Sequence, residues 1–239
     1  MNNFTQYNFE IFNAFVFHQK KQDIVDKKKY IINSVEEFYN ISVDNYLFVG
    51  FNPAILGMSL TKKLYITEVE PAVVEWLKSN HINVTVVDKI TDTYDCIVAT
   101  EEYLTYVDNE TDQIEKIKFL CSHANDLLIT TVKDYKNQYF KEREYSQPAV
   151  IRNKDLMAYV EMHEWSHVDR NTWQSYLYRL EKLNATCIGE WQRRTLYFKQ
   201  FAKFAYDSGA SDFVIHKNIM YKSILKKNYE HVISVRFEQ

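Results

Sequence analysis

The sequence predicts an α/β protein whose core is a doubly wound, mostly parallel sheet that ends in an antiparallel hairpin. Five short apolar runs alternate with helical patterns between residues 46 and 131, as expected for parallel strands joined by helices. Two later runs, residues 213–221 and 229–237, are strand-like and are joined by a short link. The second of them alternates apolar with polar positions, which favours an antiparallel hairpin at the end of the sheet.

The five strand runs share an apolar composition and cover residues 46–50, 64–67, 83–87, 95–99 and 127–131. The first run ends in Gly50, the second is closed by Glu68, and the third is closed by Asp88. Glu101 follows the fourth run. Because ligands of open parallel sheets bind beyond the carboxyl ends of the strands, we expect these four residues at one ligand-binding edge.

The residues before the first strand are predicted to form a helical lead-in. Residues 4–17 are aromatic and apolar. In residues 22–40 a helical stripe is approximated by Ile24, Ile31, Val35 and Phe38. We therefore divide the chain into a lead-in of residues 1–45 and a main domain of residues 46–239.

Helices and loops are also predicted within the main domain. Pro71 opens a helix at a favoured early position, and residues 133–155 are polar and predict a long connection. Residues 194–207 predict a helix that Gly209 would cap. Another helical stripe is formed by Trp173, Tyr176, Leu177, Leu180 and Leu183.

Two segments carry a resemblance to a known family. Residues 68–72, which read Glu-Val-Glu-Pro-Ala, and residues 94–101 are similar to the second and fourth strand ends of the class I S-adenosylmethionine-dependent methyltransferases. The resemblance implies a Rossmann-like, seven-stranded sheet, S-adenosylmethionine as cofactor, and methyl transfer to an acceptor that the sequence does not identify. It implies that Glu68 holds the ribose, that Asp88 contacts the adenine amino group, and that Gly50 and Thr100 lie against the cofactor.

The loop after the first strand departs from the family pattern. The family has a glycine-rich loop there, which lets the backbone approach the methionine end of the cofactor. In this chain only Gly50 remains, Phe48 replaces an acidic residue, and Asn52 and Ala54 stand where glycines are expected. A catalytically inactive methyltransferase fold that serves as a binding or structural module is therefore a second hypothesis.

Glu101 is the candidate catalytic residue. A carboxylate after the fourth strand could act as general base on an incoming nucleophile. The simpler alternative is that Glu101 and Glu102 form a solvated acidic turn.

A third hypothesis, a zinc hydrolase, comes from the H-E-x-x-H run at His163, Glu164 and His167. On a helix, the two imidazoles would face one zinc ion and Glu164 would be the base. Charged flanks at Glu161 and Asp169 argue against a buried metal helix. We therefore predict no stoichiometric zinc, and we expect His163 and His167 to be surface or cap histidines.

The charge distribution suggests a second kind of partner. Residues 193–239 hold nine Lys and Arg against four Asp and Glu, a local charge of +5 in a chain of net charge −3. Such a region could bind nucleic acid weakly through Arg193, Arg194, Lys226 and Lys227, with stacking on neighbouring aromatic residues. A solvated basic face is the competing interpretation.

The cysteines and the hydropathy of the chain indicate the cellular compartment in which the protein is expected. Cys96, Cys121 and Cys187 are widely spaced; the first two lie in apolar patterns typical of buried thiols in a reducing compartment. No apolar run reaches the length of a membrane span, and no signal-peptide pattern is present. These features predict a cytoplasmic protein.

Overall fold

The computed structural model describes residues 3–58, 61–134, 143–169, 171–182, 184–225 and 229–238. Within them the α-helices are α1 (Asn3–Phe17), α2 (Lys21–Tyr39), α3 (Pro71–Ser79), α4 (Glu110–His123) and α5 (Phe198–Asp207). Short 3₁₀ helices span Pro53–Gly57 and Tyr103–Thr105. The helices expected before the first strand, after Pro71 and before Gly209 are thus confirmed.

The first strands along the chain are β1 (Asn45–Val49), β2 (Lys63–Thr67), β3 (Thr85–Val86), β4 (Tyr94–Ala99) and β5 (Ala124–Val132). They are followed by β6 (Arg143–Tyr145), β7 (Ala149–Arg152), β8 (Met157–Trp165), β9 (Thr172–Glu181), β10 (Asn184–Arg194), β11 (Asp212–Lys222) and β12 (Tyr229–Arg236).

Seven of the described strands form the predicted sheet, in the order β3-β2-β1-β4-β5-β12-β11. The pairs among β1 to β5 are parallel, whereas β12 is antiparallel to both β5 and β11. Burial explains this order: β1 and β4 are almost continuously buried, as strands covered on both faces must be. The two exposed residues of β3 form one edge.

A second sheet follows β5. Strands β10, β9, β8 and β6 pair in that order, and β7 also pairs with β8, all antiparallel. The polar connection expected at residues 133–155 therefore contains two strands, β6 and β7, in its described part. Both sheets contribute to one continuous core, which includes Phe48 of β1 and Trp191 of β10.

The helix predicted from Trp173 to Leu183 is wrong. Trp173, Ser175 and Leu177 are buried while Tyr176 and Tyr178 on the other face are half-buried, which is the two-residue period of a strand. The sequence resembles a helical stripe because Tyr176 and Leu180, on the less buried face of the strand, are also apolar. Leu183 lies outside the described residues.

Helix α1 lies against both sheets. Its buried residues recur at helical spacing and are Phe4, Tyr7, Asn8, Ile11, Phe12, Ala14 and Phe15. The Tyr7 ring packs edge-on against Trp191 of β10, and the Phe12 ring packs against Phe51, which follows β1. The lead-in is therefore part of the core above β1.

The face that α2 buries differs from the predicted stripe. Val25, Lys28, Ile31, Ile32 and Val35 are buried, whereas Phe38 is largely exposed. A charged residue, Lys28, thus occupies the buried face of an amphipathic helix.

Cys96 and Cys121 are buried as predicted, whereas Cys187 on β10 is exposed. Among the helices that the structure describes, none combines the length and apolar character needed to cross a bilayer.

Candidate functional site

The carboxyl ends of the parallel strands concentrate unusual backbone conformations. Glu68 after β2 has φ 53°, and Glu101 and Glu102 after β4 have φ 58° and 55°. Left-handed backbone is unfavourable for a residue with a side chain, and it clusters at functional sites. The chain has only 4 glycines, so glutamates make turns that glycine would make more easily. Three of the seven described non-glycine residues with left-handed backbone thus lie at the predicted edge.

Gly50 begins the loop after β1 and also has a left-handed backbone, with φ 82°. A Cβ at this position would lie 2.6 Å from Nδ2 of Asn8 and 2.8 Å from the ring of Phe4. Asn8 makes two hydrogen bonds to the backbone of Phe51, the residue after Gly50. Phe51 N–H donates to Asn8 Oδ1 at 2.5 Å, and Asn8 Nδ2 donates to Phe51 O at 3.3 Å. The open side of Gly50 is thus covered by α1.

The loop is further fixed by aromatic packing and by Asn52. The Phe51 ring contacts those of Phe12, Phe15 and Trp76. Asn52 replaces a glycine of the family pattern, has extended backbone, and accepts a hydrogen bond from Ala54 N–H at 2.9 Å. The side chain of Asn52 therefore caps the 3₁₀ helix that begins at Pro53.

Glu68 is half-buried and points to its neighbours after β4. The hydroxyl of Tyr103 donates to Glu68 Oε1 at 2.7 Å. Lys116 of α4 lies 3.8 Å from the centre of the Tyr103 ring and donates to the carbonyls of Tyr103 and Tyr106. Burial lowers the pKa of Lys116 to about 8, and the charge of Glu68 partly opposes that shift.

Asp88 and Thr100 differ in their surroundings. Asp88 is exposed just beyond β3, which itself pairs with β2. Thr100 is buried beyond β4, and its Oγ1 accepts a hydrogen bond from Asn52 Nδ2 at 3.1 Å. The strand ends therefore bring Gly50, Glu68, Asp88, Thr100 and Glu101 to one edge, as the sequence predicted.

Glu101 is buried, with 2% of its surface exposed, so the alternative of a solvated acidic turn is wrong. The hydroxyl of Tyr221 donates to Glu101 Oε1 at 2.6 Å, and Lys28 Nζ lies 3.9 Å from the same oxygen. Lys28 also lies over the Tyr221 ring, 2.9 Å from its centre. Oε2 of Glu101 has no hydrogen-bond partner among the described residues. The carboxylate thus keeps one oxygen for another group.

Glu102 belongs to a second buried network, which joins the two sheets. Arg193 of β10 donates to Glu102 at 2.7 Å and to Glu161 of β8 at 3.2 Å, and its Nε donates to Thr105 at 3.1 Å. Arg193, Glu102 and Glu161 are each at most 3% exposed. The guanidinium also stacks 4.5 Å from the centre of the Tyr106 ring.

The residues that sequence reasoning missed differ in whether any pattern could have identified them. Asn8 and Lys28 are polar residues at positions where the helical stripe requires apolar ones, and this signal could have identified them. Tyr103, Glu161 and Arg193 had no such signal, because their partners lie far away in the sequence.

The helix assumed for the H-E-x-x-H run is also wrong. His163 and Glu164 lie on β8, and His167 lies beyond its end. The run is therefore not helical, and the two imidazoles do not share one helix face. His163 Nε2 instead lies 3.2 Å from Glu161, and Glu164 pairs with Arg143.

The basic C-terminal region is divided between interior and surface. Arg193 is fully buried and cannot contact nucleic acid. Arg194 pairs with Asp169 at 2.7 Å, and Lys226 and Lys227 lie outside the described residues. Nucleic-acid binding remains a prediction for the exposed lysines of this region.

The fold is similar to that of solved methyltransferases. A S-adenosylmethionine-dependent methyltransferase from Clostridium acetobutylicum ATCC 824 matches with a TM-score of 0.65 and 12% identity, over 90% of this chain and 92% of that chain. DesVI from Streptomyces venezuelae matches with a TM-score of 0.67 and 8% identity, over 96% and 98%. CalS10 with bound S-adenosylmethionine, an amino pentose methyltransferase from Micromonospora echinaspora, matches with a TM-score of 0.58 and 9% identity, over 92% of this chain and 91% of that chain.

No protein-family model matches the sequence, and no curated protein matches it. At these identities the structural similarity establishes the fold. The protein has the class I S-adenosylmethionine-dependent methyltransferase fold, as the resemblance implied.

Proposed function

We propose that the protein binds S-adenosylmethionine at the carboxyl edge of β1, β2 and β4 and transfers its methyl group to an acceptor. The observation that carries the proposal is the position of Glu68. Its carboxylate follows β2 on a strained, left-handed backbone, beside the loop of Gly50 and close to the start of α3. A helix start stabilises negative charge, and strain of this kind is typical of functional sites.

The acidic residues suit the polar parts of this cofactor. A carboxylate has room for about four hydrogen bonds, so Glu68 can accept the ribose hydroxyls in addition to Tyr103. Asp88 would accept a hydrogen bond from the adenine amino group. The methionine end would lie against Gly50 and Phe51, near Thr100.

Asn8 and Phe4 occupy the side of Gly50 to which a Cβ would point. For the methionine end to approach Gly50 from that side, α1 has to move away from the loop. Because the hydrogen bonds of Asn8 to Phe51 would be lost in that movement, they would oppose cofactor binding.

Glu101 is the group available for proton transfer. S-Adenosylmethionine supplies an electrophilic methyl group, which bonds to the acceptor's nucleophilic atom as the carbon–sulfur bond breaks and the nucleophile's proton leaves. Oε2 of Glu101 can take that proton, because Tyr221 and Lys28 engage the other oxygen.

A non-catalytic module of the same fold is the second candidate. The hydrogen bonds of Asn8 to Phe51 favour it, because they already satisfy backbone groups beside Gly50 that a cofactor would need. Such a protein would use the methyltransferase fold for binding or structure.

Calorimetry of the whole chain with S-adenosylmethionine and with its demethylated product decides between these candidates. We expect both ligands to bind and Glu68→Ala to weaken binding by about 1–3 kcal/mol, the usual value of a charged hydrogen-bond partner. Glu68→Gln, which can still accept the Tyr103 hydroxyl, should weaken binding too.

The matched control is Glu75→Ala, an exposed acid on α3. Equal affinity in folded Glu68→Ala protein would show that the ribose site is wrongly placed. If the unmutated chain binds neither ligand, the non-catalytic module is the better description.

A further inference from the structure

A cleft opens beside the edge that carries Glu101. It has a volume of about 600 Å³ and lies between α2, β7 and the adjoining ends of β11 and β12. This volume is typical of small-molecule sites. None of the cofactor contacts proposed above involves the cleft.

An irregularity in β11 forms one wall. The register with β12 shifts between His216 and Met220, and Asn218, Ile219 and Met220 line the cleft. Bulges of this kind redirect side chains and are frequent next to active sites.

Lysines dominate the charge of the cleft. Lys20, Lys27 and Lys222 are exposed in its lining, and Asp23 is the acid that faces them among the described lining residues. His18 adds little positive charge, because burial lowers its pKa. The cleft therefore attracts anions.

The remaining wall is apolar and partly aromatic. Tyr30 from α2 and Tyr229 from β12 are 65% and 56% exposed, and Met220 is 38% exposed. Exposed tyrosines at a cleft offer flat faces on which an apolar ring can pack.

Lys28 connects the cleft to the proposed chemistry. It lines the cleft, and its ammonium group lies 3.9 Å from Glu101 and donates to the carbonyl of Lys222 at 2.7 Å. Lys28 thus touches both the cleft and Glu101, which is not itself among the residues that line the cleft.

We propose that this cleft binds the methyl acceptor and that the acceptor is a small molecule with a carboxylate or phosphate group on an apolar, aromatic body. The lysines would bind the anionic group, and Tyr30 and Tyr229 would pack on the body. Its identification as the acceptor site rests on the proposed methyl transfer, but ligand binding in the cleft does not require the cofactor.

The test is calorimetry of the whole chain, without cofactor, with four ligands that share one ring: phenyl phosphate, benzoate, benzyl alcohol and benzylamine. We expect an anion to bind at least about tenfold more tightly than the neutral and cationic compounds, and to lose affinity as salt rises. Comparing phenyl phosphate with benzoate shows which anion the lysines prefer. Benzylamine binding as tightly as either anion would overturn the proposal, as would the absence of anion binding.

Two double variants with the same change in net charge localise the site. Lys27→Gln with Lys222→Gln should weaken anion binding about tenfold, whereas Lys199→Gln with Lys203→Gln, on α5 and outside the lining of the cleft, should have less than about a twofold effect. Equal effects would show that the anion responds only to overall charge, which overturns the site.

Tyr30→Ala tests the aromatic wall. It should weaken phenyl phosphate binding without changing that of inorganic phosphate, because only the former has a ring. Equal losses for both would contradict the proposed packing. A single-stranded oligonucleotide that binds far more tightly than phenyl phosphate, and through the same lysines, would instead identify a nucleic-acid surface.

The experiments can refute the methyl-transfer proposal and the cleft proposal independently of each other. Anion binding by a chain that does not bind S-adenosylmethionine would refute methyl transfer and the acceptor role but leave the ligand site. Cofactor binding without anion binding would refute the cleft proposal alone.

Discussion

Single residues at the carboxyl edge of the parallel sheet adopt left-handed backbone conformations where many proteins would have glycine. Glu68, Glu101 and Glu102 adopt left-handed backbone at a cost of about 1–3 kcal/mol each. Each is held by specific contacts: Tyr103 on Glu68, Tyr221 on Glu101, and Arg193 on Glu102. The surrounding side chains thus stabilise a conformation that the local sequence disfavours.

Asn8 is the residue that we expect to control access to this edge. In Asn8→Ala the two hydrogen bonds to Phe51 are lost, so the free energy of unfolding should fall by about 1–3 kcal/mol. Binding of S-adenosylmethionine should become tighter, because less free energy is needed to move α1 from Gly50. Urea denaturation and calorimetry measure the two effects.

Asn13→Ala, on the same helix but half-buried, is the control and should leave cofactor affinity unchanged. Weaker cofactor binding in Asn8→Ala protein would contradict the idea that Asn8 opposes binding.

At the level of elements, a buried ion network holds the second sheet to the first. Arg193→Met should reduce the free energy of unfolding by about 3–5 kcal/mol, because Glu102 and Glu161 would be left buried without their cation. Adding Glu102→Gln and Glu161→Gln to that variant should recover much of the loss by removing both charges.

Arg194→Met provides the comparison, since its ion pairs involve the more exposed Asp169 and Glu110 and should contribute about 0–1 kcal/mol. Thermal or urea denaturation measures all three proteins. Similar losses for Arg193→Met and Arg194→Met would show that the network does not hold the sheets together.

Elements also show where sequence periodicity misleads. Strand β9 has apolar residues on both faces, so its pattern fits a helix as well as a strand. The central strands β1 and β4 are equally apolar, but alternation with helices identified them. Context, rather than local pattern, separated these correctly predicted strands from β9, which was predicted to be a helix.

For the whole molecule, we expect stability to depend on pH in the alkaline range. Burial lowers the pKa of Lys28 and Lys116 from 10.5 to about 8. Between these values the unfolded chain keeps the protons of the two lysines while the folded chain has lost them, so each lysine contributes a stability that rises with pH. Each lysine can contribute at most about 1.4 kcal/mol per pH unit.

Buried tyrosines oppose this rise at higher pH. The pKa values of Tyr7, Tyr103 and Tyr221 are raised by burial, so the unfolded chain loses those protons first and stability falls above about pH 10.

The thiols of Cys96 and Cys121, whose pKa values are raised by burial, oppose the rise already from about pH 9, so the lysine contribution is measured as a difference between variants. Melting temperatures are compared between about pH 7.5 and 9.5. Lys116→Gln should lower the slope of stability against pH, Lys118→Gln on the exposed face of α4 should not, and equal slopes would contradict the assignment.

The sequence by itself determined the parallel sheet, its C-terminal hairpin, and the presence of Gly50, Glu68, Asp88, Thr100 and Glu101 at the strand ends. These features follow from short-range patterns: apolar runs, the alternation of strands with helices, and residues that close a run. The roles proposed for these residues remain predictions.

Only the tertiary structure decided what surrounds that edge. The cover that α1 places over Gly50, the burial of Glu101 beside Lys28 and Tyr221, and the link from Arg193 to Glu102 join residues that are 42 to more than 100 positions apart. No local pattern encodes such pairs, because a buried charge or amide is stabilised by whichever distant partner the packed core brings to it.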